Sequence, residues 1–174
     1  MFSLSRLLTP SLIVRAVTDC SAVFLQERGI TAVVSDLDNT LLPYHGADDA
    51  VSPEVLGWLA DLHGVGIGVC LASNTTRLGR LARLAASWGI SHVPRTAGKP
   101  GTAGIRHALD LLGAEPQNAA MVGDQLFTDM VGGNQLGMFT VLVNPLSTHE
   151  FVGTRLVSRP LERLVLRGAR ARPQ

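Results

Sequence analysis

Residues 31–41 read Thr31-Ala32-Val33-Val34-Ser35-Asp36-Leu37-Asp38-Asn39-Thr40-Leu41. A short β-branched, apolar run ends abruptly in two acids separated by one leucine. Such a run suits a strand buried on both faces, which leaves the acids at its carboxyl end. Working outward, four comparable runs lie at 66–72, 91–93, 119–122 and 139–143. The first strand is read at 31–35.

The segments between these runs have helical periodicity and stop at Gly29, Gly64, Gly89, Gly113 and Gly137. Glycine takes the left-handed backbone that closes a helix at little cost. Ser52-Pro53 and Lys99-Pro100 read as helix starts, because proline suits a first turn with no partner for its N–H. Thr75 or Thr76 would cap the helix over Leu78, Leu81, Ala82 and Ala85. Strands at this spacing, roughly one β–α–β unit apart, predict parallel pairing with right-handed crossovers. The expected fold is therefore α/β and Rossmann-like: a five-stranded parallel sheet, helices on both faces, and no large cap domain.

Open parallel sheets place ligands beyond the carboxyl ends of their strands. The residues found there are Asp36 and Asp38, then Ser73 and Asn74, then Lys99, then Gly123, Asp124 and Asp129. Asp36 and Asp124 offer hard oxygen ligands for Mg²⁺, with the backbone carbonyl of Asp38 as a third. A bound cation would neutralise a phosphate enough for Asp36 to attack phosphorus and form an aspartyl-phosphate. Asp38 is placed to protonate the leaving oxygen and then to activate water. The hydroxyl of Ser73, the turn at Asn74 and the Lys99 ammonium would hold phosphate oxygens. Lys99 is the only lysine among fifteen basic residues, so this position favours a compact ammonium over a guanidinium. Each motif alone is an ordinary turn or helix start; four of them at successive strand ends carry the reading.

With those residues in view, the chain resembles the haloacid dehalogenase-like (HAD) phosphatases, and motif by motif the YqeG family of subfamily IIIA. The resemblance rests on D-L-D-N-T-L at 36–41, S-N at 73–74, K-P at 99–100 and G-D-Q-L-F-T-D at 123–129. Gly132-Gly133-Asn134 and the run 142–146 extend it. It implies Asp36 as nucleophile, Asp38 as acid/base, and Ser73 and Lys99 as phosphoryl binders. It further implies Asp36, Asp38 and Asp124 as the Mg²⁺ set, with Thr40, Gly123 and Asp129 in support. The family includes phosphatidylglycerophosphate phosphatases of phospholipid biosynthesis, so that lipid is the substrate the resemblance implies. The flap at 42–46 departs from the family pattern and bears on specificity.

Length and composition fit one domain: 174 residues, 46% hydrophobic and 17% charged. Within it, 1–29 is expected as an amphipathic helix, 30–150 as the catalytic core, and 151–174 as a basic helix and tail. Residues 1–18 carry Arg6 and Arg15 and no acid, as transit peptides do. The apolar spacing from Leu12 to Phe24 favours a folded helix instead. The tail holds six Arg and one Glu, which suits an anionic surface. With an open site, it points to a lipid headgroup and peripheral contact at the inner membrane face of a cytoplasmic enzyme.

The uncharged stretch 62–76 is too short to cross a bilayer. Cys20 and Cys70 have no disulfide or metal spacing, and the five histidines have no ligand spacing. Nucleic acid is not an expected partner, for aromatics are 5% and no recognition module is present. Two alternatives remain at this point: a phosphatase of a soluble sugar phosphate or nucleotide, and a non-catalytic phospho-aspartate switch.

Overall fold

The computed structural model describes residues 4–43 and 51–147. Most of the flap (44–46) and the basic segment 151–174 lie outside the described residues. The elements run α1 (Leu4–Leu7), β1 (Leu12–Val14), α2 (Ala22–Gln26), β2 (Ala32–Ser35), α3 (Pro53–Gly64) and β3 (Gly68–Leu71). They continue with α4 (Leu78–Trp88), β4 (Ser91–His92), α5 (Ala103–Leu112), β5 (Ala119–Gly123), α6 (Val131–Leu136) and β6 (Phe139–Val143).

All strand pairings in the sheet are parallel, and their order is β1-β6-β5-β2-β3-β4. β2 is central and buried throughout. Its side chains alternate between two apolar layers. Val33 packs in a layer with Leu62, Leu71, Leu81 and Val122, whereas Val34 packs in one with Cys70, Ile105, Leu109 and Met121. Burying each such valine is worth about 1.5–3 kcal/mol, which makes the register of β2 costly to slip. From β2 the chain runs outward through β3 to β4, then returns to the other side of β2 as β5. The reversal therefore falls between β2 and β5, where Ser35 lies opposite Val122. Their carboxyl ends form the crevice in which doubly wound sheets bind ligands.

The sheet has six strands instead of the expected five. The extra one lies within the N-terminal segment read as a helix. Residues 1–29 do not form one amphipathic helix; the described part divides into α1, edge strand β1, a 3₁₀ turn (Val17–Asp19) and the short α2. Leu12, Ile13 and Val14 find pairing partners on β6, which strands satisfy better than a helix start does. Asp19 then accepts from the N–H groups of Arg15 and Ala16, and Ser21 accepts from Phe24. Both are capping residues standing where a helix interior was expected. Asn134 clasps the segment by donating to the carbonyls of Leu7 and Thr9.

Two helix ends also differ from expectation. α3 runs through Gly64, and the left-handed residue is Gly66, at φ +80°. Lys99-Pro100, joined by a cis peptide, precedes α5 by a loop instead of starting it. Ser52 caps α3 as expected, accepting from Val55. Arg77, not Thr75 or Thr76, occupies the cap position of α4 and makes no side-chain cap bond. No domain is inserted among the described residues between β2 and β4, where the crossovers hold only α3 and α4.

Candidate active site

The site is built by the turns that leave β2, β3 and β5 and by the loop before α5. Asp36 leaves β2 with its backbone N–H donating to the Val122 carbonyl at 2.9 Å, which ties it to β5. The chain then turns so tightly that Leu41 and Leu42 both donate to the Leu37 carbonyl. Asn39 adopts φ +62° within this turn, a conformation asparagine tolerates better than most residues. The turn brings Asp36, Asp38 and Asn39 to a cavity of about 500 Å³ that Ser73 and Lys99 also line.

Lys99 Nζ lies at the centre of the charge network. It donates to Asp36 Oδ1 at 2.8 Å and lies 2.7 Å from Asp129 Oδ1. The second contact is a buried ion pair. Oxygens of Asp36, Asp124 and Asp129 lie within 4.8 Å of one another. Three carboxylates thus face one ammonium. Burial, then the charges of Asp36 and Asp129, push the Asp124 carboxyl up to about 7. Burial likewise raises Asp129 against the pull of Lys99. Burial alone would lower the Lys99 ammonium, but the two carboxylates beside it outweigh that and raise it. Excess buried negative charge and hard oxygen donors are the properties of a divalent-cation site. The donor set fits Mg²⁺.

The remaining contacts hold these groups in place. Lys99 is oriented through its backbone: its N–H donates to Asn74 Oδ1 at 2.9 Å, and its carbonyl accepts from Asn74 Nδ2 at 2.8 Å. Asp129 Oδ2 accepts from the Gln125 N–H at 3.1 Å. Thr40 Oγ1 reaches Asp124 Oδ1 at 3.4 Å. Ser73 is buried; its oxygen accepts from the Thr75 N–H, and its own hydrogen remains to donate. Asp38 is held by Arg80, whose Nη1 lies 2.7 Å from Oδ1.

Residues 96–148 match the family described as HAD-hydrolase-like. Over 142 residues the chain is 30% identical to the probable phosphatase YqeG of Bacillus subtilis, covering 82% of this chain and 80% of that protein. The chain belongs to the YqeG family of HAD phosphatases. It is also 33% identical over 133 residues to the chloroplastic phosphatidylglycerophosphate phosphatase 1 of Chlamydomonas reinhardtii. That match covers 71% of this chain but only 48% of the relative's length. An uncharacterised protein from Listeria monocytogenes shares the fold, with a TM-score of 0.53, 19% identity and coverage of 80% of this chain and 99% of that one. As a YqeG-family member, the chain is a hydrolase acting on phosphate esters.

The geometry refines the YqeG-type site read from sequence. Asp36, Ser73 and Lys99 line one cavity, and Asp124 joins Asp36 in the acidic cluster. Asp129, expected only in support, is buried at 1% exposure and stands among the three clustered carboxylates. The side chain of Asp38 lies outside that cluster and is engaged by Arg80, so among side chains the clustered set is Asp36, Asp124 and Asp129. Asn74, expected on the phosphate, commits its amide to the Lys99 backbone and so acts first by orienting it. Gly123 is required because a Cβ there would collide with the Asp129 carboxylate. Sequence reasoning missed Arg80. The available signal was the Arg77/Arg80 pair, three residues apart on a helix that begins beside Ser73.

Proposed function

We propose that this chain is a Mg²⁺-dependent phosphomonoesterase working through an aspartyl-phosphate, with phosphatidylglycerophosphate as substrate. The observation that carries the reaction is the position of Asp36. Its carboxylate lies at the topological switch, hydrogen-bonded to Lys99 and clustered with Asp124 and Asp129.

Asp36 Oδ attacks phosphorus in line, and the P–O bond to the leaving alkoxide breaks. Asp38 gives that alkoxide its proton. Asp38, now a carboxylate, takes a proton from water as the water oxygen attacks the aspartyl-phosphate, releasing phosphate and regenerating Asp36. Lys99 and Ser73 hold the phosphoryl oxygens through both steps. Asp36, Asp124 and Asp129 would hold the Mg²⁺, with the Asp38 carbonyl as a further ligand. When bound, the ion supplies the positive charge that lets two anions approach.

The lipid substrate is supported by the activity named for the Chlamydomonas relative and by a site that no inserted domain covers among the described residues. No described helix is long and apolar enough to cross a membrane. Contact through the basic segment 151–174 is proposed as peripheral attraction to anionic lipid, worth about 1 kcal/mol per basic group near the surface.

The test uses purified full-length chain with Mg²⁺ on phosphatidylglycerophosphate and a panel of soluble phosphomonoesters. The lipid is expected to be preferred, and Asp36→Asn to remove nearly all turnover while circular dichroism is unchanged. A tenth of the rate surviving in Asp36→Asn would mean another group attacks phosphorus. Preference for the soluble panel by orders of magnitude would remove the lipid.

A further inference from the structure

Among the described residues, the cations at or beside the cavity are Lys99, Arg80 and Arg77, and the first two are engaged by carboxylates. Lys99, with 2% of its side chain exposed, is shared by Asp36 and Asp129. Arg80 is paired with Asp38. Arg77 lines the same cavity and is exposed, and among the described residues no acidic side chain pairs with it.

Its location runs against local preference. Arg77 holds the cap position of α4, where Ser, Thr, Asp or Asn would satisfy a free N–H, and it makes no such bond. The first turn of α4 contains no acid, although the positive end of a helix favours anions and disfavours cations by about 0.3–1 kcal/mol each. Arg80 shares this handicap and is compensated by Asp38. Among the described residues no carboxylate compensates Arg77. An anion arriving with the substrate would.

We infer that Arg77 binds a second anionic group of the substrate, so that the site selects phosphomonoesters carrying a nearby second anionic group over those whose phosphomonoester is the sole anionic group. The inference rests on the reading of this cavity as the phosphate-ester site. The planar guanidinium can present two parallel N–H donors to a phosphodiester, phosphate or carboxylate. Phosphatidylglycerophosphate carries such a group, a phosphodiester one glycerol away from its phosphomonoester. A soluble ester with two phosphates carries the same chemistry without acyl chains.

The experiment compares kcat/KM on three substrates with Mg²⁺. These are phosphatidylglycerophosphate in mixed micelles, its acyl-free headgroup glycerophosphoglycerophosphate, and glycerol 3-phosphate. For Arg77→Gln, the ratio of headgroup to glycerol 3-phosphate activity is expected to fall about tenfold or more, mainly through KM, as for a lost charged hydrogen bond. Arg77→Lys should recover part of that ratio. A ratio within twofold of wild type in Arg77→Gln overturns the inference, as does a wild-type preference for glycerol 3-phosphate.

If the headgroup is turned over as well as the lipid and depends on Arg77, the inference stands while the lipid requirement falls. Headgroup binding to Asp36→Asn, with and without Arg77→Gln, reads the same contact without turnover. Equal affinities there would count against it.

Discussion

Arg80 Nη1 lies 2.7 Å from Asp38 Oδ1, and both side chains are largely buried, at 13% and 14% exposure. A guanidinium this close to a shielded carboxyl group fixes the direction in which the Asp38 side chain points. In the proposed mechanism Asp38 needs that direction to reach both a leaving oxygen and an attacking water. Positioned acid–base groups contribute roughly 10²–10⁴-fold to rate, so loosening one forfeits part of that. Arg80→Ala is expected to lower kcat about 10–100-fold with a smaller change in KM, and Arg80→Lys to lose less. Asp38→Asn should cost more than either. Steady-state kinetics of the three variants check the order; Arg80→Ala at wild-type kcat would release Arg80 from this role.

Lys99 sits between two buried acids, and its removal leaves them uncompensated. Breaking a buried ion pair from one side costs about 3–5 kcal/mol. Lys99→Met is expected to lose stability on that scale in metal-free urea unfolding, and Mg²⁺ should restore part of it. Lys99→Arg should not rescue activity, since a larger planar group must enter a site where Lys99 has 2% of its side chain exposed. Unfolding curves with and without Mg²⁺, alongside turnover, test both.

Much of this arrangement was legible in the sequence because burial on two faces and strand-end chemistry both leave local marks. β6 was read at its full length and β2 to within one residue, since each is a short, mostly apolar run rich in valine. Other features depend on partners far along the chain. The run 12–14 becomes a strand only because β6 is free to pair with it, and nothing local distinguishes it from a helix turn. The Lys99 loop is held by Asn74, 25 residues earlier, so a helix start was the reasonable local reading. Arg80 acquires meaning only when Asp38, 42 residues away, is brought beside it.

The acidic cluster makes the metal-free protein pH-sensitive. Asp124 is pushed up to about 7 in the folded state from its ordinary 3.8. Between those values the folded protein holds more protons than the unfolded chain, so stability falls as pH rises from about 4 to 7 and then levels. Asp129 is raised too and acts in the same direction. The ammonium of Lys99 is raised above 10.5, so its contribution is fully present throughout this window. If the cluster holds Mg²⁺ as proposed, the ion competes with the protons on Asp124 and must bind more tightly as they leave. The expected result is a fall in metal-free Tm between pH 5 and 7 and a larger Mg²⁺-induced rise at pH 8 than at pH 5. Thermal melts across that range decide it; a Mg²⁺ shift independent of pH would contradict the clustered carboxylates as the binding site.

Two glycines should respond oppositely to one methyl group. At Gly123, which ends β5, a Cβ would collide with the Asp129 carboxylate. Asp129 cannot yield freely, because it is 1% exposed and held by Lys99 and the Gln125 N–H. Gly123→Ala is therefore expected to cost about 1–3 kcal/mol and to displace a carboxylate of the cluster. With the cluster disturbed, Mg²⁺-dependent turnover should drop by about 100-fold, the scale of losing one preorganised electrostatic group. At Gly57, inside α3, an added Cβ meets nothing within 4 Å and relieves the entropy that glycine costs a helix. Gly57→Ala should stabilise by about 0.4–1 kcal/mol and leave turnover unchanged. Urea midpoints and kinetics of both variants measure the contrast, and a Gly123→Ala protein that keeps full activity would show that Asp129 can move without consequence for the chemistry.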